Sequence, residues 1–148
     1  MADADHSPPR ILVDDRQDGT VDLEPLLAVA RRTMSGEGAA HAELSLSFVT
    51  EEEMAELHER YMGEPGPTDV LSFPLEEDDR DEDGVRILGD VVIAPAVAAR
   101  NNPGDPGSEL RLLVVHGILH LLGHDHVNDD ARARMWARQE RYAGVRIP

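Results

Sequence analysis

The stretch from His116 to His126 reads HGILHLLGHDH and decides how the rest of this chain is interpreted. His116 and His120 lie four residues apart on a predicted helix, so their side chains share one face, with Cβ atoms roughly 6 Å apart. Gly123 predicts the end of that helix, and the turn after it lets His126 approach the same point from outside. Three imidazole nitrogens that leave a fourth position for water are typical of catalytic zinc. We therefore predict a metal site held by His116, His120 and His126.

The spacing His-x3-His-x2-Gly-x2-His is also the ligand pattern of the metzincin peptidases. In those enzymes a glutamate general base follows the first histidine, whereas this chain has Gly117 there. The sequence therefore predicts a peptidase-like set of ligands without the peptidase's proton acceptor. The alternative, that the histidines are core or surface residues without a metal, is disfavoured because unpartnered imidazoles are costly to bury among leucines. Zinc is the expected metal because three imidazoles suit it, although nickel, cobalt and copper are chemically admissible.

The composition excludes several kinds of chemistry. The 148 residues contain no cysteine, which excludes disulfides, thiolate ligands and cysteine nucleophiles. All 14 basic residues are arginine, so mechanisms that need a Schiff-base or Walker-type lysine are excluded as well. The 30 acidic residues give a formal net charge of −16, which argues against a protein that coats nucleic acid through bulk attraction.

Hydrophobic periodicity and cap residues predict strands and helices that alternate along the chain. Strands are expected at 10–13, 41–49, 70–73 and 88–94, and helices at 22–34, 51–62, after residue 95, at 108–122 and at 129–142. Asp22 and Ser108 are candidate N-caps, and Thr50 opens a capping box. The predicted fold class is α/β (α+β): a roughly four-stranded mixed sheet packed by about five helices, with the metal site on a helix of the C-terminal half.

The chain is expected to form one domain over residues 1–148, because no repeat or linker divides it. Residues 1–9 are predicted to be a flexible tail and residues 76–84 an acidic loop, since seven of the eight residues at 76–83 are acidic. The polar, acidic N-terminus is unlike a signal peptide, and the longest apolar run, 91–99, is too short to span a bilayer. We therefore expect a cytoplasmic protein without a membrane partner.

Three blocks of the sequence resemble the YbeY family, bacterial metal-dependent endoribonucleases that act in the maturation of ribosomal RNA. Residues 116–126 match the family's H-G-x-L-H-L-x-G-[YH]-D-H, and residues 60–74, RYMGEPGPTDVLSFP, resemble its R-x-Y-R-G-…-T-D-V-L-S-F-P. Residues 88–93, LGDVVI, are similar to its L-G-D-I-x-I strand. The likeness runs from about residue 10 to residue 142. It departs from the family at Met62, where an arginine is usual, and this departure is expected to weaken an RNA contact.

The resemblance implies roles for individual residues. His116, His120 and His126 carry over as the metal ligands. Arg60 corresponds to a functionally important arginine of the family, which is expected to bind the scissile phosphate and to stabilise charge in the transition state. The alternative for Arg60 is a solvated helix residue that balances neighbouring glutamates. His124 occupies a position that the family fills with Tyr or His; it is a candidate catalytic residue for proton transfer, with a supporting role as the alternative.

Further residues are candidates for the surroundings of the metal. Asp125 and Asp90 are candidates for orienting a ligand imidazole through its second nitrogen, with a turn or capping role as the alternative for each. Thr68, Asp69 and Ser72 are candidates for shaping the cleft. The sequence shows no residue that takes the place of the missing glutamate, although RNA also offers its own 2′-hydroxyl as a nucleophile.

Two functions follow from the resemblance. The first is a zinc-dependent, single-strand-specific endoribonuclease that matures the 3′ end of 16S ribosomal RNA and takes part in ribosome quality control. The second is a non-catalytic, metal-stabilised ribosome-assembly factor, which the missing general base and the acidic surface favour. Both imply ribosomal RNA, the small ribosomal subunit and its assembly factors as partners, and neither implies DNA. A metalloprotease is a more distant alternative.

The negative charge is unevenly distributed along the chain. Residues 1–107 contain 25 acidic residues and 8 arginines, whereas residues 108–148 contain 5 acidic residues and 6 arginines. Arg134, Arg138 and Arg141 lie at helical spacing on the last predicted helix and are candidate RNA-binding residues. We hypothesise that they form, with Arg60 and the metal ion, a positive cleft on an otherwise acidic protein.

Overall fold

A computed structural model describes residues 9–76 and 79–144. The strands are β1 (Arg10–Asp15), β2 (Glu43–Phe48), β3 (Val70–Pro74) and β4 (Ile87–Ile93). The helices are α1 (Leu23–Gly36), α2 (Glu51–Met62), α3 (Pro95–Asn101), α4 (Pro106–Leu121) and α5 (Asp129–Ala143). Where both ends of an element were predicted, the observed ends differ by no more than two residues. Most of the predicted tail, residues 1–8, and residues 77–78 of the predicted acidic loop lie outside the described residues.

Within the described ranges, four strands form one mixed sheet in the order β1-β2-β4-β3. β1 and β4 run parallel to β2 on either side of it, and β3 closes one edge antiparallel to β4. Together with the five helices of the same ranges, this sheet confirms the predicted fold class. Buried and half-buried side chains alternate along β2, as expected of a strand with one buried face. Leu44, Leu46 and Phe48 are fully buried, whereas Ser45 and Ser47 face the other side and are half-buried.

Three helices, α1, α4 and α5, pack together on one face of the sheet around the larger hydrophobic cluster. α4 is apolar around most of its circumference, as expected of a helix that contacts other elements on several sides. Val114, Val115 and Ile118 on this helix are fully buried. α4 also contacts β3 and β4 directly, so the histidines it carries stand on a rigid support beside the β3 edge.

A smaller hydrophobic cluster lies where α2 and the start of α3 pack near β3 and β4. Its buried members are Val49, Met54, Leu71, Val92, Ala94 and Val97. This cluster does not extend over β1, where Leu12, which pairs with Ser45, is 50% exposed. The sheet face that carries Ser45 and Ser47 is therefore open above β1 and β2 in the described part of the chain.

The helix starts show which predicted caps form. The Thr50 side chain accepts a hydrogen bond from the Glu53 amide at 3.1 Å, as the capping box predicts. Asp22 occupies the N-cap position of α1, but its side chain makes no cap hydrogen bond. The prediction that Ser108 caps α4 is wrong, because Asp105 is the N-cap and accepts from the Ser108 amide at 3.1 Å. Proline at the first helical position lets α4 begin two residues earlier than predicted.

Part of the predicted acidic loop is ordered by its own carboxylates. Asp81 Oδ1 accepts hydrogen bonds from the amides of Asp83 and Val85 at 2.8 and 2.9 Å. Arg10 Nη1 donates to Asp81 Oδ2 at 3.0 Å and to Glu43 Oε1 at 2.9 Å. These contacts tie the loop to β1 and β2, and the backbone hydrogen bond from Val85 is the main reason that the pKa of Asp81 is lowered. No helix in the described ranges is long and apolar enough to cross a membrane.

Candidate metal centre

The structure brings His116, His120 and His126 together. The first two lie on the last two turns of α4, and the third lies on the loop between α4 and α5. One ring nitrogen from each histidine lies within 4.8 Å of the other two. The ring centroids are 4.6 Å apart for His116 and His120 and 5.5 Å apart for His120 and His126. These three side chains can hold one metal ion.

The local sequence explains how His126 reaches the site. α4 ends at Leu121, and the amide of His124 still donates to the carbonyl of Leu119 at 3.0 Å. Gly123 then adopts a left-handed conformation with φ +96°, which glycine reaches without steric cost. The chain reverses at this residue, as predicted, and carries His126 back to the end of the helix.

Burial and neighbouring charges lower the pKa values of His116 and His120. Burial is the main cause that lowers the pKa of His116, and the charge of His126 lowers it further, although the hydrogen bond that His116 donates to Gln139 opposes the shift. The pKa of His120 is lowered to about 4, first by burial and then by the charges of His116 and His126. A neutral imidazole offers a lone pair to a metal. The three-histidine donor set and the lowered pKa values of His116 and His120 therefore fit one transition-metal ion.

Two residues of α5 complete the surroundings of the histidines, and sequence reasoning missed both. Gln139 is only 2% exposed, and its Oε1 accepts a short hydrogen bond from Nδ1 of His116. This contact leaves Nε2 of His116 as the nitrogen with a free lone pair. The Trp136 ring lies 6.4 Å from that of His116 and 6.0 Å from that of His126. The available signal was periodicity, since Gln139 follows the buried Met135 by four residues on one helix face.

Gly117 shows why the glutamate of the metzincin pattern has no counterpart here. A Cβ atom on this residue would lie 2.6 Å from Cγ1 of Val91, which is closer than side chains tolerate. Ser72 Oγ donates to the carbonyl of Gly117 at 3.2 Å, so β3 also approaches α4 at this turn. Position 117 therefore faces the sheet and not the histidines, and the peptidase mechanism has no place for its base.

His116 and His120 open into a cleft of about 290 Å³, which we call the inner cleft. Its lining includes Met62, Ser72, His116 and His120. Ser72, expected to shape the cleft, is thus part of its wall. The inner cleft is open to solvent at the β3 edge and has room for a ligand beside the imidazole nitrogens.

Comparison with known proteins identifies the family to which these features belong. The family model described as Endoribonuclease YbeY matches residues 13–144. The chain belongs to the YbeY endoribonuclease family. The resemblance of its three sequence blocks is thereby confirmed.

Individual members of the YbeY family and a solved structure agree with this assignment. A protein named Endoribonuclease YbeY from Acidothermus cellulolyticus is 54% identical over 110 residues, which cover 66% of this chain and 66% of that protein. One of the same name from Beutenbergia cavernae is 46% identical over 130 residues, with 82% and 87% covered. The solution structure of TM1509 from Thermotoga maritima is 30% identical with a TM-score of 0.61, and 89% and 87% of the two chains are covered. The match thus spans about two thirds of the length of the Acidothermus YbeY protein.

His124, the variable position of the YbeY signature, stands apart from the three histidines. Its Nε2 lies 2.8 Å from Oε1 of Glu37, just after the end of α1. The same carboxylate accepts from Tyr142 Oη at 2.6 Å and from Arg138 Nε at 3.2 Å. Burial raises the pKa of Glu37, but these partners outweigh it and the pKa is lowered overall. The contacts of His124 are therefore those of a residue that ties the ligand loop to α1 and α5.

The arginine residues expected to bind RNA are not equivalent. Arg138 is held by Glu37 and also donates to the carbonyl of Arg134 at 3.2 Å. Arg134 and Arg141 are exposed. Arg60 is exposed at the end of α2, with its guanidinium carbon 6.0 Å from the centroid of the Tyr61 ring. It does not line the inner cleft, but Met62 two residues later does.

Of the two aspartates expected to orient a ligand imidazole, Asp90 lies on another face, whereas Asp125 lies close enough to His120 for its charge to raise the pKa of that imidazole. Asp90 projects from β4 to the sheet face opposite α4, beside Ser45 and Phe73, so the expectation that it orients a ligand imidazole is corrected. The reason is the parity of the strand, since the neighbouring residue Val91 is the one that packs against α4. Asp125 Oδ1 accepts from the Val127 amide at 3.3 Å, which is the contact of a turn residue.

The structure does provide carboxylates near His116. Asp69 and Glu109 line a second cleft of about 210 Å³ together with His116, Trp136 and Gln139. Burial is the main cause that raises the pKa of Glu109, and the charge of Asp69 raises it further. Asp69, expected to shape the cleft, thus contributes a charge beside the histidine as well as a wall.

Proposed function

We propose that this chain is a zinc-dependent endoribonuclease that cuts single-stranded RNA during the maturation of ribosomal RNA. The observation that carries the proposal is the group of three histidines at the end of α4 and on the loop after it, two of which line the inner cleft, in a chain of the YbeY family. The relatives named above as endoribonucleases support the reaction class. Zinc is the proposed metal because a three-imidazole set with an open fourth position suits it.

Different residues of the chain bind the metal, orient its ligand and bind the RNA phosphate. His116, His120 and His126 would hold the ion, which when bound supplies Lewis-acid activation of a phosphoryl oxygen and of water. Gln139 holds the ring of His116 in the tautomer that presents Nε2. Arg60 binds a phosphate of the RNA from the end of α2 through its two-pronged guanidinium.

Glu109, a carboxylate of the second cleft, acts as the proton acceptor for which the sequence offered no candidate. Glu109 has a raised pKa and shares that cleft with His116, so it is suited to accept a proton from the attacking group. Asp69 keeps negative charge beside it and receives a hydrogen bond from Asn101 Nδ2 at 3.2 Å. The second cleft shares Val70 and His116 with the inner cleft, so this pair lies beside the inner cleft, on the side of His116 toward α5.

The finer parts of the proposal follow from the family resemblance. The 3′ end of 16S ribosomal RNA is the proposed site of cleavage, with the small ribosomal subunit and its assembly factors as partners and ribosome quality control as a second role. The proposed location is the cytoplasm. The competing function is a non-catalytic, metal-stabilised assembly factor, and the packing of Gly117 in place of a general base is the observation that favours it.

Cleavage of a single-stranded RNA oligonucleotide by the purified protein, with and without a chelator, separates the two functions. We expect chelator-sensitive cleavage that is lost in His120→Ala and Arg60→Ala, while both variants keep the melting temperature of the metal-free wild type. His41→Ala, at an exposed histidine far from the site in sequence, is the matched control and should cleave normally. Elemental analysis should find about one zinc ion per chain in the wild type. Equal cleavage by all three variants would identify a contaminating nuclease and contradict the proposal.

A further inference from the structure

A larger cavity lies on the opposite face of the sheet from the histidines. We call it the outer groove; its volume is about 540 Å³, within the range of about 300–1,000 Å³ that is usual for small-molecule sites. Ser45, Ser47 and Asp90 form its floor, Tyr61 and Phe73 form one wall, and Arg16 lies among its remaining lining residues. None of these residues takes part in the metal centre.

Strand register explains why the groove exists. Ser45 of β2 pairs with Asp90 of β4, and Asp90 pairs with Phe73 of β3, so these three side chains stand in one row across the sheet. The serines are small and leave space above the floor. Asp90 is exposed, and no hydrogen bond or ion pair joins its carboxylate to any other of the described residues. The row therefore presents two free carboxylate oxygens at the bottom of a cavity.

The wall of the groove offers an aromatic surface. Tyr61 is 56% exposed, and its ring packs edge-on against that of Phe73 at a centroid distance of 5.1 Å. The guanidinium of Arg60 lies 6.0 Å from the Tyr61 centroid. Single-stranded RNA is recognised by aromatic rings on which bases stack and by polar groups that reach the base edges.

The outer groove and the inner cleft share two elements. On β3, Ser72 lines the inner cleft and Phe73 lines the outer groove. On α2, Met62 lines the inner cleft and Tyr61 lines the outer groove. β3 is an edge strand, so the two sites are separated by the thickness of one sheet edge. A strand of RNA that passes around this edge spans both sites with a few nucleotides.

We propose that the outer groove binds one nucleobase of the RNA substrate, with guanine preferred, while the neighbouring phosphate reaches the inner cleft past Arg60. This inference rests on the proposed function, because it assumes that RNA is the ligand. A carboxylate accepts two hydrogen bonds side by side, which matches the adjacent N1–H and N2–H donors of guanine. Uracil has one such donor between two carbonyl oxygens, so Asp90 repels it. An acidic protein lacks a general attraction for the RNA phosphates. In this mode of binding, base stacking and one specific pair of hydrogen bonds take the place of that attraction.

Titration of the zinc-loaded protein with guanosine and uridine monophosphates, followed by amide NMR, tests the proposal without any cleavage. We expect guanosine monophosphate to bind at least tenfold more tightly than uridine monophosphate and to shift the amides of Ser45, Ser47 and Asp90. Asp90→Asn should remove most of this preference, and Tyr61→Ala should weaken both ligands about tenfold, since a stacked base contributes roughly 1–3 kcal/mol. Glu82→Gln removes one exposed charge from the acidic loop and should change nothing.

The possible results of the titration distinguish the guanine site from the proposed endoribonuclease function. Guanosine binding that maps to the outer groove in a protein without nuclease activity would leave this site standing and contradict the proposed function. Normal RNA cleavage together with shifts confined to the inner cleft, or with equal binding of both nucleotides, would overturn the guanine site. Because Asp90 and Tyr61 are exposed, their variants are expected to keep the wild-type melting temperature, which the same samples report.

Discussion

Gln139 is the residue whose removal tests the metal centre most directly. It is buried and holds Nδ1 of His116, so Gln139→Leu frees the ring to rotate and leaves its N–H without a partner. We expect a fall of about 10- to 100-fold in zinc affinity, the usual cost of losing such a partner, measured by competition with a chromophoric chelator. Gln139→Glu keeps the acceptor and should bind zinc at least as well as the wild type. Equal zinc affinity of the leucine variant would show that Gln139 only fills space.

Gly117 gives a second prediction at the scale of one residue. In Gly117→Ala the new Cβ meets both methyl groups of Val91, at 2.6 and 3.0 Å, in a packed interior. Overpacking of this kind costs about 1–3 kcal/mol, against a gain of about 1 kcal/mol in helix propensity. We therefore expect a net loss of about 1 kcal/mol in the free energy of unfolding, measured with denaturant. Gly104→Ala is the control, because no atom lies closer than 4.0 Å to its Cβ; a stabilised Gly117→Ala would contradict the close contact.

At the scale of elements, Glu37 joins α1 to α5 and to the loop that carries the third histidine. Its carboxylate accepts from Tyr142, His124 and Arg138, and its pKa is lowered overall although burial opposes the shift. A carboxyl group whose pKa is lower in the folded state stabilises the fold above its ordinary pKa and loses this effect as the pH falls through the folded value. We expect Glu37→Gln to lower the free energy of unfolding by about 2 kcal/mol at pH 7.

The same substitution has a defined pH dependence. As the pH falls below the ordinary glutamate pKa of about 4.3 and then through the lower value of the folded protein, the wild-type carboxyl becomes protonated as well, and the difference between Glu37→Gln and the wild type should shrink toward zero. Glu24→Gln, at an exposed position in the first turn of α1, is the control and should show little effect at either pH. A difference that stays constant from pH 7 to pH 3 would show that charge plays no part in this junction.

The elements also show what the sequence could and could not predict. The positions of His116, His120 and His126 followed from helical spacing and one glycine, which are local properties. The partner of His116 did not, because Gln139 meets it only through the packing of α5 against α4. The sheet face to which Asp90 projects depends on strand parity. On the paired strand β2, a register irregularity between Glu43 and Leu44 comes just before the pair of Ser45 and Asp90, so the sequence alone did not reveal this face.

At the scale of the whole molecule, the net charge of −16 determines how much electrostatic attraction contributes to RNA binding. The uneven distribution of acidic residues along the chain leaves the C-terminal part nearly neutral. In α5, Arg132, Arg134 and Arg141 are exposed, with Arg132 near Asp129, while Arg138 is bound to Glu37. Association with RNA therefore depends on few cations and on the local contacts of the two clefts. Such binding is expected to weaken only moderately with salt, because each neutralised phosphate adds about one to the slope of log K against log salt.

Substitution of two exposed arginines of α5 tests whether RNA binding depends on these few cations. We expect Arg134→Gln with Arg141→Gln to weaken binding of single-stranded RNA and to reduce the salt slope by about two, measured by fluorescence anisotropy at several salt concentrations. Arg138→Gln should instead lower the melting temperature, because it removes a partner of Glu37, and should reduce the salt slope less. A double variant with an unchanged slope would show that α5 does not contact RNA. In that case the phosphate contacts would belong to Arg60 and the metal centre alone, and the acidic surface would exclude RNA from the rest of the molecule.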